Sequence, residues 1–429
     1  MAEPTRRSFL AGAAAVPLTA ATMDHADPHG SVAEDLARYI SFGNKQSGSA
    51  GDNGCGDWLA DELVRAGFVV EKPVISVPSF VPGRCVISIA DVETTLWPQP
   101  IVVPTPEEGV SGPLVRVDGA GRANAPLDQA IALVDLPYGR WSSALAPSIR
   151  GPIDAAFSGG ARVAVVITNG PTGKVIALNA DGGGTMFAGP VGLMAPADAA
   201  PFLAGAMRHE RATVTLTGKG GRRSAFNVVG RIDRGKGRWV VVSTPRSGWF
   251  CCAGERGGGI AAWLHLARWA PAALPDHDLA FVSNSGHEYE NLGAEVSLRA
   301  VAPRPAVTRF WLHLGANLAA RDWHEGLFGL SPLRGTDSQR YLVVSPALLP
   351  AARRFFAGLA GLESPYSSTA LSAGELTPII AAGYRSVAGV FGVHRFHHVA
   401  VDDARCVPPA PVARTIAAFR RLLREAARA

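Results

Sequence analysis

The chain has 429 residues, 47% hydrophobic and 18% charged, which excludes general disorder and leaves material for two or three domains. Its 48 glycines and 32 prolines follow no period, so collagen-like and low-complexity architectures are excluded as well. Lys+Arg 41 against Asp+Glu 36 leaves a diffuse +5; the doublets Arg222–Arg223 and Arg353–Arg354 read as solvated surface, and no nucleic-acid partner is expected.

Residues 1–30 read as a secretory leader. Arg6 and Arg7 precede Phe9 and Leu10, and a small-residue apolar stretch runs over 11–22. About a dozen apolar residues cannot cross the roughly 30 Å hydrocarbon layer. The arginine pair resembles a twin-arginine signal, which implies the twin-arginine export machinery as a partner and a periplasmic or secreted location. No later run reaches the length of a membrane span, so stable membrane insertion is not expected. Cys55, Cys85, Cys251, Cys252 and Cys406 are too few and too irregular for a disulfide scaffold, leaving one bridge or buried free thiols open.

Helical spacing marks 31–40 and 56–66, and Gly67 stops the second before the strand-like 68–71. From 86 to 222 the pattern changes to short β-rich runs, with strands over 131–135 and 163–168 and a helix over 153–160 between them. After this insert, strands over 239–243, 279–282, 310–314, 341–344 and 386–391 alternate with helices over 259–269, 346–361 and 412–428. The alternation predicts a three-layer α/β fold: a mostly parallel sheet with helices on both faces. In such sheets ligands bind beyond the carboxyl ends of the strands.

The polar clusters fall at those ends. Ser243–Phe250 follows the first core strand, and Glu255 sits in a glycine-rich segment that opens a helix. His287 and Glu288 follow strand 279–282, His313 ends strand 310–314, and His394, His397, His398, Asp402 and Asp403 follow strand 386–391. Glu255, Glu288 and a late histidine form a ligand set suited to zinc, with an open position for chemistry. His287, whose unperturbed pKa is about 6.5, is then a general base or acid.

The order of these pieces resembles the M28 family of zinc aminopeptidases and carboxypeptidases with a protease-associated (PA) insert. The likeness spans roughly residues 31–425. It begins in Ser47-Gly-Ser-Ala-Gly-Asp52, Trp58-Leu and Gly67-Phe, continues through the insert to Phe226-Asn-Val-Val-Gly230, and includes the helix around Leu266-Ala-Arg268. It implies residues 31–85 and 223–429 as the catalytic domain and 86–222 as the PA-like insert. The family's bridging aspartate falls on Glu255, its catalytic Glu-Glu pair on His287 and Glu288, a second-metal aspartate on His313, and its last ligand histidine on His397. Its first His-x-Asp falls on Pro245 and Ser247, which cannot bind metal.

The resemblance therefore implies one zinc ion in preference to two, held by Glu255, Glu288 and His397. His287 and His313 become catalytic groups and Asp402 an outer support. Arg246, Arg256, Glu375 and His398 are the expected substrate contacts, the arginines favouring an anionic group. The implied activity is metal-dependent hydrolysis of a peptide or N-acyl/amide bond. A glutaminyl-cyclase-like single-zinc enzyme and an inactive envelope binding protein are the alternatives.

Overall fold

Local signals place the first helices. The Ser31 backbone N–H donates to Glu34 Oε2 (2.8 Å) and the Glu34 N–H donates back to Ser31 Oγ (3.2 Å), a reciprocal cap that starts the helix Val32–Ser41. Ser49 caps the helix Ala50–Arg65, which begins earlier than the apolar spacing suggested because a small-residue first turn carries no apolar stripe. These elements belong to a computed structural model that describes residues 31–327 and 329–428. The leader read over 1–30 lies outside the described residues.

The main sheet has eight strands in the order Val69–Glu71, Val228–Ile232, Asp278–Asn284, Trp239–Pro245, Thr308–Leu314, Val387–Gly392, Arg340–Val344 and Tyr366–Ser367. The four from Asp278–Asn284 to Val387–Gly392 are mutually parallel, and antiparallel pairings flank them. Residues alternate between its faces. Val240 and Val242 join the core under the helices Val32–Ser41, Ala50–Arg65, Gly258–Ala273 and Pro409–Arg428. Val241 joins the opposite core with Leu376 and Ile379 of the helix Leu376–Ala381. Each fully buried Val, Leu or Ile contributes roughly 1.5–3 kcal/mol, so this two-sided burial holds the layers together. The three-layer α/β fold expected from the alternation is the one observed. The helix expected over 346–361 is shorter, a 3-10 turn Pro346–Leu348 and then Leu349–Phe355, because the chain turns through left-handed backbone at Gly358 (φ +74) and Gly361 (φ +81).

A second eight-stranded sheet is built from residues 74–226. The expected limits at 86 and 222 fall inside the strands Val74–Ile89 and Arg211–Phe226, which pair from Val74↔Phe226 to Ile89↔Ala212. The prolines and glycines that read as breakers there only slip the register between Pro82 and Cys85. The strands Val110–Asp118, Ile131–Asp135, Val163–Ile167 and Val191–Met194 are parallel, covered on one face by Pro147–Ser158 and on the other by Ala200–Met207. Trp323, Phe396 and Val399 of the main domain share the insert's core. Trp323 lies in a hairpin, Arg321–Gly326 with Gly329–Thr336, whose polar sequence gave no strand signal. All five cysteines are free thiols.

Candidate metal centre and active site

The parallel strands end together at Pro245, Asn284, Leu314 and Gly392, and the loops after them carry the polar clusters. Cys252 in the left-handed region (φ +43) leads into one turn of π-helix, Ala253–Gly257, ahead of the helix Gly258–Ala273. That turn lifts Glu255 out of the helical ladder. Asp402 fixes it from below, accepting from the N–H groups of Gly254 (2.8 Å) and Glu255 (3.1 Å). Gly254 has no room for a side chain: an added Cβ would lie 2.6 Å from His394 Cε1 and 2.9 Å from Asp402 Oδ1.

His398 also stands in the left-handed region (φ +58), a strained state that aims its ring inward. Its Nδ1 lies 2.9 Å from the Ala177 carbonyl of the insert, and its Nε2 lies 3.2 Å from Glu255 Oε1. A carbonyl only accepts, so Nδ1 carries its hydrogen and Nε2 is the atom turned to the site. His397 stacks on His398 with centroids 3.9 Å apart, and its Nε2 meets Ser142 Oγ of the insert at 3.3 Å. Donor atoms of Glu255, His397 and His398, all buried, lie within 4.8 Å of one another, the convergent ligand group among the described residues.

Burial pushes the Glu255 carboxyl up, yet Arg256, His398 and His397 outweigh it and hold the group well below the ordinary glutamate range. Arg256 Nη2 lies 2.7 Å from Glu255 Oε1, and its Nε donates to the Ser247 carbonyl (3.2 Å). Burial and the neighbouring His398 push His397 well below the usual histidine range, so it stays neutral as a ligand must. Glu255 Oε2 and His397 Nδ1 are buried without a hydrogen-bond partner. One carboxylate and two imidazoles, with two orphaned donor atoms among them, fit zinc.

Glu288 does not join this group. Its Oε1 accepts from the Ser47 N–H (2.8 Å), and its Oε2 from the hydroxyls of Ser47 (2.5 Å) and Ser247 (2.7 Å). The ligand set Glu255, Glu288 and His397 is therefore not the one that converges; His398, expected at the substrate, takes the third place. Arg246, expected as a substrate contact, is turned into the interior instead. It is fully buried, 2.9 Å from Asp52 Oδ1, and donates to the carbonyls of Phe226 and Ser283.

A cavity of about 530 Å³ opens beside the metal group, lined among others by Arg256, His287, His313, Glu375 and His397. His287 Nδ1 sits 3.3 Å from Glu375 Oε1, while Asn284 Nδ2 donates to Glu375 Oε2 (3.0 Å). Burial would raise the Glu375 carboxyl, but His287, His313 and Asn284 outweigh it and hold it low. Glu375 is thus the orienting partner of His287, a role its isolated position in the sequence did not suggest. His313 lies against Ser243 Oγ (3.0 Å) and stacks on Phe391, and burial holds it down to about 4, so it is neutral near pH 7. Sequence reasoning missed Ser142 and Ala177 and gave no positive role to Ser47 or Ser247; the four reach the site from chain segments far apart. The Ser47–Asp52 motif was legible as texture, without a role.

The same fold occurs in zinc peptidases. A zinc aminopeptidase from Bacillus subtilis superposes with a TM-score of 0.69 at 15% identity, covering 92% of this chain and 94% of that one. The Peptidase M28 precursor from Shewanella amazonensis gives 0.70 at 18% identity, with 92% of each chain covered. The aminopeptidase from Aneurinibacillus sp. strain AM-1 gives 0.64 at 16% identity, over 91% of this chain and 92% of that one. No protein-family model matches the sequence, and no curated protein matches it. The M28-like zinc-peptidase fold expected from the sequence is the fold this chain has.

Proposed function

We propose that the protein is an exported, metal-dependent hydrolase of a peptide or amide bond, with a single zinc ion held by Glu255, His397 and His398. The observation that carries this reading is the convergence of those three buried donors, of which His397 reaches the wall of the cavity that His287 also lines. A zinc ion bound by these three residues would supply Lewis acidity towards an amide carbonyl. The remaining work falls to the chain. The ionised Glu375 accepts the Nδ1–H of His287, which leaves Nε2 as the base that takes a proton from the attacking water and returns it to the leaving amine. His313, neutral and wedged between Ser243 and Phe391, holds a fixed polar edge on the cavity without adding charge.

The insert acts as a PA-like cap, since Ser142 and Ala177 hold the outer nitrogens of both ligand histidines. The Arg6–Arg7 leader supports export through the twin-arginine machinery to the periplasm or beyond. Metal analysis of purified protein, with turnover of a peptide and an N-acyl amino-acid panel, tests the proposal. One zinc per chain and chelator-sensitive turnover are expected. A chain that takes up no zinc on reconstitution, and whose Glu255→Ala variant behaves like the wild type, overturns it. The Arg256–Glu255 pair favours one second reading, a binding protein whose arginine has replaced the metal's charge; recovery of the panel uncleaved with zinc absent selects it.

A further inference from the structure

Two arginines are among the residues that line the cavity, Arg256 and Arg340. Arg340 is 4% exposed, and its Nε donates to the Ala360 carbonyl at 2.8 Å while Nη1 donates to the Leu318 carbonyl. Neither partner is an anion. Asp337, the nearby candidate, is taken by Arg140 (2.8 Å) and Arg395 (3.5 Å), and among the described residues no carboxylate stands within ion-pair distance of Arg340. Burial pulls Arg340 down to about 10 against the attraction of Glu363 and Asp337. A buried cation held by carbonyls alone is costly, and an anion entering from the cavity would offset that cost.

The opposite charge has no such opening. Glu375 is the carboxylate among the lining residues, and its oxygens are engaged by His287 and Asn284. A substrate ammonium group would find no free acceptor anion there. Arg256 spends two of its five N–H groups on Glu255 and Ser247, and a guanidinium fork can serve a second carboxylate.

We propose that this cavity recognises a free carboxylate on its ligand, with Arg340 as the counter-ion and Arg256 beside it. The end of the substrate held here is the carboxyl terminus of a peptide or the carboxylate of an N-acyl amino acid, and not an amino terminus. As a substrate class this rests on the hydrolase reading; as a binding preference it does not.

Three probes that differ only in end charge test it by calorimetric titration of the zinc-loaded full chain at neutral pH: N-acetyl-L-leucine, N-acetyl-L-leucinamide and L-leucinamide. The acid is expected to bind about tenfold or more tighter than the neutral amide, the gain of a charge-assisted hydrogen-bonded pair, with the cationic L-leucinamide weakest. Arg340→Gln should erase the preference, and Arg340→Lys should keep part of it. Because Arg340 also ties Ala360 to Leu318, the wild-type ranking stands as the measurement that needs no variant. Gly-Gly-Leu as a fourth probe separates the sources: tighter binding than the acetylated acid assigns a peptide terminus, weaker binding an acyl amino acid, and both keep the carboxylate. Equal binding of acid and amide, tightest binding of L-leucinamide, or no binding of the acid up to millimolar concentration overturns the proposal. If the acid binds best and nothing is hydrolysed, the hydrolase reading fails alone. If zinc-dependent cleavage occurs with amino-terminal substrates preferred, only the carboxylate inference fails.

Discussion

Each sheet opens a hollow at the carboxyl ends of its parallel strands, and the larger hollow is on the insert. There Asp118, Asp135 and Asn169 stand around about 840 Å³, against about 530 Å³ on the main sheet. Around the insert's hollow the charges are answered locally. Arg116 Nη2 lies 2.6 Å from Asp135, Arg122 Nη2 lies 2.8 Å from Asp118, and Asn169 Nδ2 donates to Asp135 at 2.8 Å. On the main sheet Glu255 Oε2 and His397 Nδ1 are buried and unsatisfied, and among the described residues no carboxylate forms an ion pair with Arg340. Buried polar groups are nearly always satisfied, so it is the debt of hydrogen bonds, not the volume, that marks a place for chemistry.

Paired substitutions break or sharpen that contrast. Glu255→Ala should lower zinc affinity by more than about 100-fold, beyond the effect of losing an outer partner, and abolish turnover. Asp135→Ala in the insert should leave zinc content and turnover unchanged and cost about 1 kcal/mol in a urea melt, as a partly exposed pair does. Competition with a chelator and denaturation curves on the same preparations check both. Equal loss of zinc in the two variants would erase the distinction between the hollows. Next in size is Glu375→Gln. An amide in place of the carboxylate no longer fixes the His287 tautomer, so kcat should fall by about 10²–10⁴-fold with zinc content and KM little changed.

His313 gives a smaller effect with a defined sign. Its folded value of about 4 is set by burial, with His287 and Arg256 pushing the same way and Glu375 opposing, whereas an unfolded histidine titrates near 6.5. Between these values the unfolded chain takes up a proton that the folded chain refuses. Stability from this group is therefore complete above about pH 6.5 and is lost as the pH falls towards 4, on the order of 2–3 kcal/mol. The wild type should lose that much more than His313→Gln between pH 7 and pH 4 in urea melts. Parallel pH profiles of the two proteins would remove His313 from the account.

What the sequence made legible follows from where the information lies. Apolar runs such as Val240-Val-Val and Leu279-Ala-Phe-Val carry their own signal, so the main strands along the chain and the polar clusters at their ends were readable, while the order of strands in the sheet was not. Glu255, His287 and His397 were singled out because their clusters lie at or after strand ends. The division of labour between them was not readable. Whether Glu288 faces a metal depends on Ser47, some two hundred and forty residues away in sequence, and on Ser247, which seal its oxygens. His397 and His398 are neighbours in the chain, and only the left-handed backbone at His398 turns both rings into one site. Arg246 and Arg340 look alike as letters, and the first has Asp52 beside it while the second has none. Pairing at long range decides such roles, and composition near the residue does not report it.

The smallest effect bears on the insert. Both candidate ligand histidines rest on it, His398 through the Ala177 carbonyl and His397 through Ser142 Oγ. The carbonyl cannot be removed by mutation, but the hydroxyl can. With Ser142→Ala, His397 keeps its stacking on His398 and its buried place, and loses the contact that fixes its Nε2. Outer partners of this kind tune metal affinity by about 10–100-fold, and at 3.3 Å this contact belongs at the lower end. Zinc affinity should drop about tenfold, with melting behaviour of the zinc-free protein unchanged. An unaltered affinity would mean that the insert covers the metal group without tuning it, and that the unsatisfied atoms on the main sheet define the site by themselves.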